Sequence, residues 1–325
     1  MGVIFSKAKK RTTRIVFTEG NQPKILQAAQ ILKEEGICEP ILLGHPDPIR
    51  AVIEEMRHTE LKDAKIIEPE ESDLLETYIS TYYDMRQRRG ITPREARKHM
   101  LTRNYFGAMM VREGAADGLV TGLTMQYPEA VRAPLEIIRS REGLRAGGVY
   151  IVVTKNDFKF FADCTMNIDP TAEELADIAI RTSDLARYFD VKPRVAMLSY
   201  SNFGSADGES PRKVSRAVEL ARKQRPELEI DGEMEVDAAM LQEEREAFPF
   251  ARLTDEANVF VFPNLDAANI GYKLIWRIGR AEVIGPVLLG MRKPVNVLQT
   301  NASVDAIVNL AAVTALRAQE DEFPF

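Results

Sequence analysis

The chain has 325 residues, a length that favours two domains over one. Its hydrophobic content of 45% and charged content of 28% are ordinary for a soluble globular protein, and no apolar run approaches the roughly 20 residues of a membrane span. A net charge of −6 creates no field that would attract nucleic acid or an anionic membrane. The two cysteines, Cys38 and Cys164, fit neither a disulfide framework nor a zinc site, so we expect a reduced, cytoplasmic setting.

Strands and helices are predicted to alternate in the first half of the chain. The predicted strands are 14–20, 39–44, 64–67 and 117–122. The predicted helices are 23–36, 47–57, 72–90, one running from a capping box at Thr92 and Glu95 through 107–110, and one opening at Tyr127. Strand–helix–strand units of this kind favour parallel pairing.

The second half continues the alternation. The predicted strands are 149–153, 158–163, 194–199, 229–232 and 259–263, with 154–157 as the hairpin turn between the first two. The predicted helices are 170–189, 210–225, 236–248, 264–278 and 303–317. A strand, a loop and a helix start are expected over 285–306. Residues 319–325 are expected to fray.

Generic motifs exclude two common kinds of site. No Gly-x-Gly-x-x-Gly follows a strand and no Walker A loop is present, which argues against the standard nicotinamide and ATP sites. His45, His58 and His99 stand singly in polar segments and are interpreted as solvent-exposed. The arginines at 86, 88 and 89 precede a glycine; they either complement the dipole of a helix end or bind an anion.

From Arg14 to Arg317 the chain resembles the phosphate acetyl/butyryltransferase family. The motifs that carry the resemblance are 89–93 (RGITP), 117–122 (DGLVTG), 131–134 (VRAP), 197–201 (MLSYS), 231–233 (DGE), 236–239 (VDAA), 262–265 (FPNL), 269–274 (NIGYKL), 285–286 (GP) and 293–296 (KPVN). The resemblance implies two doubly wound α/β domains with a ligand cleft between them, similar to isocitrate and isopropylmalate dehydrogenases. It places domain I at 1–138, completed by the C-terminal helix 303–325, and domain II at 139–302.

Active members of that family transfer acetyl between phosphate and coenzyme A, and this sequence departs from them at the reactive loop. The family pattern Asn-Asp-Leu-Ser-Arg-Gly meets Val297, Gln299, Thr300 and Asn301 at its Asp, Ser, Arg and Gly positions. The aspartate that takes the thiol proton falls on Ala306, and Asp305 beside it points about 100° away on a helix. Losing a base costs roughly 10²–10⁴-fold and losing an oxyanion donor roughly 10²–10³-fold. The resemblance therefore implies a site without catalytic residues, with Gln299, Thr300 and Ala306 as its degenerate positions.

The binding positions of the family are better kept. The resemblance implies that acetyl-CoA or CoA is bound by Arg86, Arg132, Ser201, Asn202, Asn269, Lys273, Val283, Ile284, Pro286, Asn296, Gln299 and Thr300. Cations for phosphates and an apolar groove for the pantetheine arm suit that ligand. For Lys273 the alternative is an ordinary solvated lysine. No metal ligands are expected in this chain.

The chain is also similar to the C-terminal phosphotransacetylase-like domain of large bacterial NADP-dependent malic enzymes. The start at 5–10 (FSKAKK), the segment 167–179 and the Asn296 without a following aspartate carry this likeness. It implies an allosteric acetyl-CoA domain that helps form a homodimer or larger homo-oligomer. NADP, a divalent metal and the malate chemistry would then belong to a malic-enzyme domain preceding residue 1.

Two alternatives stay open at this point. One is an active phosphate acetyltransferase that uses a rearranged set, Asp305, Arg132 and Arg86. The other is an oligomerisation module with an empty cleft.

Overall fold

The structure is a computed structural model that describes residues 2–57, 59–153 and 157–319. His58, the predicted turn at 154–156 and the end of the chain at 320–325 lie outside the described residues. The chain forms two compact units. The first takes in the residues up to Ser140 and those from Met291 onward, and the second consists of Arg141–Gly290.

Strands and helices alternate along most of the described chain, as expected for an α/β fold. The strands are β1 (Arg14–Phe17), β2 (Glu39–Leu43), β3 (Lys65–Ile67), β4 (Gly118–Thr121), β5 (Gly147–Val153), β6 (Phe158–Ala162), β7 (Arg194–Leu198), β8 (Glu229–Met234), β9 (Val259–Val261), β10 (Glu282–Leu289) and β11 (Val295–Val297). The helices are α1 (Gly2–Ala8), α2 (Pro23–Glu34), α3 (Pro46–Glu55), α4 (Leu75–Arg86), α5 (Pro93–Met100), α6 (Arg103–Arg112), α7 (Tyr127–Ile137), α8 (Ala172–Tyr188), α9 (Glu209–Gln224), α10 (Val236–Met240), α11 (Gln242–Glu246), α12 (Leu265–Arg277) and α13 (Val304–Arg317).

The strands of the first unit are all parallel and follow the order β3-β2-β1-β4-β11. From β1 the chain moves outward through β2 to β3 and then returns to place β4 on the other side of β1. The direction of winding therefore reverses between β1 and β4, and in such sheets a ligand crevice opens at the carboxyl ends of the two strands.

The boundary of the first unit differs from the sequence-based expectation. Residues 291–302 were expected in the second domain, but the structure places them in the first unit. The physical reason is β11, whose three residues extend the sheet by parallel pairing with β4, in the register Val295 to Leu119 and Val297 to Thr121. A strand this short gives almost no periodic signal in the sequence.

The helix predicted to run from Thr92 through 107–110 is two helices. Its capping box forms as predicted, with Thr92 and Glu95 satisfying each other's backbone N–H groups. The helix then stops because Thr102 takes an extended backbone (φ −88°, ψ 134°) and its hydroxyl donates to the carbonyl of His99 at 2.7 Å. A threonine that bonds backward in this way competes with helix continuation.

The final helix closes the core of the first unit. The apolar residues of α13 are buried from Ile307 to Leu316, and the helix packs against α2, α1 and β4. On α2, Pro23 occupies the first turn, where its missing N–H is not needed, and Ile25, Leu26 and Leu32 are fully enclosed.

The second unit has a mixed sheet in the order β10-β5-β6-β9-β7-β8. Strands β10, β5 and β6 pair antiparallel, whereas β6, β9, β7 and β8 pair parallel. The helix predicted over 236–248 is instead the two short helices α10 and α11, because Leu241 between them is extended. None of the described helices is long and apolar enough to cross a bilayer.

Candidate functional site

A pocket of about 460 Å³ opens where β1 and β4 end, in the first unit. We call it the β1–β4 pocket; it is lined by Thr18, Glu19, Asn21, Gln22, His99, Thr102, Arg103, Asn104, Tyr105, Thr124, Met125, Glu129 and Arg132. Its position at the reversal of winding is where the strand order predicts a ligand. Arg132, a predicted ligand residue, is exposed here, and no hydrogen bond or ion pair joins it to another described residue. The pocket thus offers an unpaired guanidinium to an anionic ligand.

The carboxylate of Glu19 fixes one wall of the pocket. It accepts from the backbone N–H groups of Gly122, Leu123 and Thr124 at 2.9, 2.8 and 2.6 Å, and from the Thr124 hydroxyl at 2.6 Å. Gly122 has a φ of +100°, and a Cβ there would meet Val297 Cγ1 at 2.8 Å, so the turn requires glycine. The turn after β4 is thereby held by an internal anion.

Glu136 organises a second polar network behind the pocket. Its Oε2 accepts from the hydroxyls of Tyr82 at 2.8 Å and Tyr105 at 3.1 Å, and its Oε1 lies 3.5 Å from Nη2 of Arg86. Burial raises the pKa of Tyr105 to about 12, with the negative Glu136 adding to the shift. Both hydroxyls therefore remain protonated donors at neutral pH.

His99 joins this network to the pocket. Its Nδ1 lies 2.9 Å from the Tyr82 hydroxyl, and its ring stacks on Tyr105 with centroids 4.4 Å apart. Because the Tyr82 proton points to Glu136, Nδ1 must carry the proton that joins the two side chains. Desolvation lowers the pKa of His99, since burial disfavours the imidazolium. The prediction that this histidine is simply solvent-exposed was wrong: it is half-buried, in contact with α4 and α6, two elements that no sequence pattern links to it.

Arg86 is placed differently from the expectation for a free ligand residue. Its side chain is only 14% exposed, it faces Glu136, and its Nε has no hydrogen-bond partner among the described residues. In this structure Arg86 therefore supports the Glu136 network. Engagement of a ligand would require Arg86 to exchange that carboxylate for a phosphate.

The loop that resembles a catalytic loop carries no proton acceptor at the expected position. Ala306 is in the first turn of α13, where its N–H donates to the Ser303 hydroxyl at 3.2 Å and its side chain is a methyl group. Val297 is fully buried in β11, and Asp305 is exposed. Asn301 adopts a left-handed backbone (φ 64°), a conformation that glycine takes without strain and asparagine tolerates.

Other polar groups hold this loop in place. The Thr300 hydroxyl donates to the carbonyl of Met125 at 3.1 Å, which ties the loop to a residue lining the β1–β4 pocket. Lys24 donates from Nζ to the carbonyls of Asn301 and Ala302 at 3.3 and 3.2 Å. Gln299 is half-buried in the same turn and has a partner of its own. The turn is thus held in shape by hydrogen bonds within the fold.

Asn296, also predicted to bind ligand, points into the core. It is fully buried, and its Nδ2 donates to the Thr314 hydroxyl at 2.8 Å. The asparagine at this position is therefore explained by its hydrogen bond to Thr314 in the core.

In the second unit, Ser201 and Asn202 lie in the loop after β7 and are already bonded. Ser201 is buried and its hydroxyl donates to Glu233 at 3.1 Å. Asn202 exchanges two bonds with Glu235, one from its Nδ2 and one to its Oδ1, each 2.8 Å long. The loop is therefore preorganised by acidic residues, which lowers its capacity to attract a free phosphate.

The remaining predicted residues of the second unit surround two stacked tyrosines. Tyr272 and Tyr150 stack with centroids 4.1 Å apart, and the exposed Lys273 places Nζ 6.0 Å from the Tyr272 ring. Asn269 donates to the Cys164 carbonyl at 3.4 Å. On β10, Val283 is half-exposed, whereas Ile284 and Pro286 are buried. Lys273 and the partly exposed Val283 and Asn269 are thus the predicted ligand residues of this group that a ligand can reach directly.

No group of three or more His, Cys, Asp or Glu side chains within the described ranges is arranged to hold a metal ion. Both cysteines are free and buried, and burial raises the pKa of each thiol. Neither thiol is therefore an accessible nucleophile.

Comparison with known proteins agrees on one family. The family model described as phosphate acetyl/butaryl transferase matches residues 1–315. A phosphate acetyltransferase of Bacillus subtilis is 40% identical over 315 residues, covering 96% of this chain and 97% of that protein. An NADP-dependent malic enzyme of Escherichia coli is 38% identical over 327 residues, covering 98% of this chain and 43% of that protein. A solved phosphotransacetylase of Streptococcus pyogenes superposes with a TM-score of 0.92 at 38% identity, covering 98% of this chain and 97% of that one. The predicted α/β class is confirmed by these structures.

Proposed function

The chain belongs to the phosphate acetyl/butaryl transferase family, and we propose that it is a member that binds acetyl-CoA but no longer transfers the acetyl group. In this proposal it acts as a regulatory and oligomerisation domain. Acetyl-CoA or CoA is the ligand, bound by the residues named above, and no metal or redox cofactor is held by this chain.

One observation carries the proposal: the side chains at 299, 300 and 306 include neither a carboxylate nor a cation. Thioester formation needs a base for the CoA thiol and donors for the oxyanion and phosphate. At these positions stand an amide, a hydroxyl that is bonded to the Met125 carbonyl, and the methyl group of Ala306. Without a base or a cation at these three positions, we expect turnover to fall by several orders of magnitude.

Ligand binding, in contrast, is supported by the β1–β4 pocket. The unpaired Arg132 guanidinium provides charge for a phosphate, and Thr124 and Gln22 line the same space. A protein with a net charge of −6 has to use such a local cation to hold an anionic ligand. In this proposal the pocket still binds the ligand, whereas the loop no longer catalyses acyl transfer.

The test compares binding with turnover in the same preparation. Calorimetry with acetyl-CoA should give saturable binding, whereas acetyl phosphate plus CoA should give no thioester by ultraviolet absorbance. Substitution R132Q should raise the Kd by about tenfold or more, as expected for loss of one charge-assisted contact to a phosphate.

The matched control is R216Q, an exposed arginine of α9 that pairs with Glu219 on its own helix. R216Q should bind acetyl-CoA as the parent does. If the parent shows no saturable binding at all, the regulatory proposal is overturned, and an oligomerisation module with an empty cleft takes its place. That module would remain oligomeric as the R132A/K273A variant.

The names of the relatives favour a second candidate, an active phosphate acetyltransferase. Several relatives carry that name, and three of them are covered to 97% or more of their own length. Since Ala306 cannot act as a base, this activity would depend on Asp305, which is exposed in the first turn of α13. Turnover that D305A abolishes would promote this candidate over the first.

The likeness to malic enzymes supplies the proposed biological context. The chain spans 43% of the length of the Escherichia coli enzyme. We infer a cytoplasmic homodimer or larger homo-oligomer in which a malic-enzyme domain of the same polypeptide, with its NADP and divalent metal, is the regulated part. Co-expression of this chain with such a domain, followed by malate oxidation assays with and without acetyl-CoA, would test that context.

A further inference from the structure

Four arginines of the first unit meet at one corner that the proposed function does not use. We call Arg89, Arg112, Arg139 and Arg292 the arginine corner. Backbone contacts define it: the N–H of Arg292 donates to the Arg139 carbonyl at 3.1 Å, and Arg292 Nε donates to the Ser140 carbonyl at 3.3 Å. Residues just beyond α7 and just before β11 are therefore joined.

The ends of two more helices reach the same place. Arg112, the last residue of α6, donates from Nη1 to the carbonyl of Ile137 at 3.1 Å. Arg139 donates from Nη2 to the carbonyl of Met85 at 3.5 Å, next to the turn that carries Arg89. Arg112 and Arg139 each complement the negative end of a helix, α7 and α4 respectively, which accounts for their local positions. This does not account for so many cations at one corner.

The corner carries more positive charge than its neighbours offset. The pKa of Arg139 is lowered by burial and then by the positive charges of Arg112, Arg89, Arg86 and Arg292. Two carboxylates pair at its edge, Glu113 with Arg112 at 3.2 Å and Glu136 with Arg86 at 3.5 Å. Counted together, the four arginines of the corner and the adjacent Arg86 exceed these two carboxylates by three positive charges, in a chain whose formal charge is −6.

The guanidinium groups also keep donors to spare. A guanidinium has five N–H donors in a planar fork that matches the oxygens of a phosphate. Arg139 uses Nη2 and Arg292 uses Nε for the carbonyl contacts described. Arg89 and Arg292 are exposed, so an anion can approach from solvent.

We propose that the arginine corner is a binding site for a phosphate-type anion, separate from the β1–β4 pocket. None of its four arginines lines that pocket. On α7 and its end, Arg132 and Arg139 are seven positions apart, which corresponds to about 10 Å along a helix. A multiply charged phosphate group offsets the repulsion among the guanidiniums better than a single carboxylate does.

The test uses inorganic pyrophosphate as the probe and the whole chain as the protein. Calorimetry at low ionic strength should show saturable binding to the parent, weakening as salt is added because the contacts are exposed. Substitution R139Q/R292Q should raise the Kd by about tenfold or more. R139K/R292K keeps the positive charges but loses the planar guanidinium groups, so its Kd should lie between those of the parent and R139Q/R292Q. R216Q serves as the matched control and should bind as the parent does.

Two further arms identify the source of the phosphate group. CoA and dephospho-CoA, which lacks the 3′-phosphate, are titrated into the parent and into R139Q/R292Q. If the corner holds the phosphate of a CoA ester, the parent distinguishes the two ligands and the variant does not. If the corner holds a free anion, R139Q/R292Q loses pyrophosphate binding. Both CoA ligands then bind R139Q/R292Q as tightly as they bind the parent.

Equal pyrophosphate binding by parent and R139Q/R292Q, or none by the parent, overturns the proposal. If R139Q/R292Q loses its cooperative thermal transition, R89Q/R292Q replaces it, because both of its positions are exposed. The acetyl-CoA titration of R132Q tests the proposed function separately, so either proposal can fail alone.

Discussion

The side chain of Asn296 donates from Nδ2 to the hydroxyl of Thr314 across 2.8 Å, inside the core of the first unit. Thr314 in turn donates to the Leu310 carbonyl at 2.8 Å, one turn earlier in α13. Strand β11 is thereby joined to the last helix by a buried polar chain. A residue that the family resemblance assigns to the ligand has its observed partner in the fold.

Substitution N296A should therefore act on stability more than on ligand affinity. It leaves the Thr314 hydroxyl oxygen without its donor, and the expected loss is about 1–3 kcal/mol in the free energy of unfolding. Urea unfolding of N296A, T314V and the double variant gives a coupling energy for the pair. Unchanged stability together with weaker acetyl-CoA binding would instead assign Asn296 to the ligand.

Substitution E19Q should destabilise the turn after β4. The Glu19 carboxylate accepts three backbone N–H groups and the Thr124 hydroxyl, and a neutral amide replaces charge-assisted bonds with weaker ones while adding donors next to donors. We expect a loss of about 1.5–3 kcal/mol in the free energy of unfolding. E129Q, at an exposed position lining the same pocket, is the matched control and should unfold as the parent does. An E19Q protein as stable as E129Q would contradict this reading of the turn.

The regular elements could be predicted from the sequence because their signals are local. The strand at 14–17 and the helix from Pro23 follow from apolar periodicity and a proline in the first turn. The end of α5 at Met100 could not, because nothing in the residue types distinguishes Thr102 as an extended residue from Thr102 as a helical one. Strand β11 was missed for a related reason: its three residues are too few to show the alternation of apolar and polar residues that predicts a strand.

The candidate site was less predictable, because it is built from distant residues. The loop positions 299, 300 and 306 were identified by resemblance, and their chemistry follows from residue type alone. The network of Tyr82, His99, Tyr105 and Glu136 joins α4, α5, α6 and α7, and no spacing in the chain relates these four side chains. Likewise, the assignment of Ser201 and Asn202 to a ligand could not anticipate that Glu233 and Glu235 already bond to them.

Restoring the family residues at the accessible loop positions should restore some acyl transfer. The variant Q299S/T300R/A306D leaves Val297 in place, because this position is fully buried and an unpaired carboxylate there would strongly destabilise the fold. We expect thioester formation at least about 10²-fold above the parent, since a base and an oxyanion donor each contribute on that scale.

The matched control for that variant is Q299S/T300R/A306N, which carries an amide of nearly the same size and no base. It should remain close to the parent in the absorbance assay. A306D alone should give little, because groups that act together are far from additive. Equal activity of the Asp and Asn variants would show that position 306 does not act as the base.

The half-buried His99 should make stability depend on pH in the mildly acidic range. Desolvation lowers its pKa in the folded state, with Lys98 and Arg132 adding to the shift and Glu136 and Glu95 opposing it. Between the folded and the ordinary pKa of about 6.5, the unfolded chain binds more protons, so acid favours unfolding there. Stability is therefore fully present above about pH 6.5 and is lost as the pH falls through the folded pKa.

The measurement is the free energy of unfolding of the parent and H99Q in urea between neutral and mildly acid pH. The carboxylates titrate in both proteins, so the difference in unfolding free energy between the parent and H99Q reports the contribution of the histidine. The parent should lose more stability than H99Q as the pH falls. Y82F, which removes the acceptor for Nδ1–H, should lower stability at neutral pH without abolishing the pH dependence. Parallel pH profiles for parent and H99Q would mean that His99 is as well solvated in the fold as in the unfolded chain.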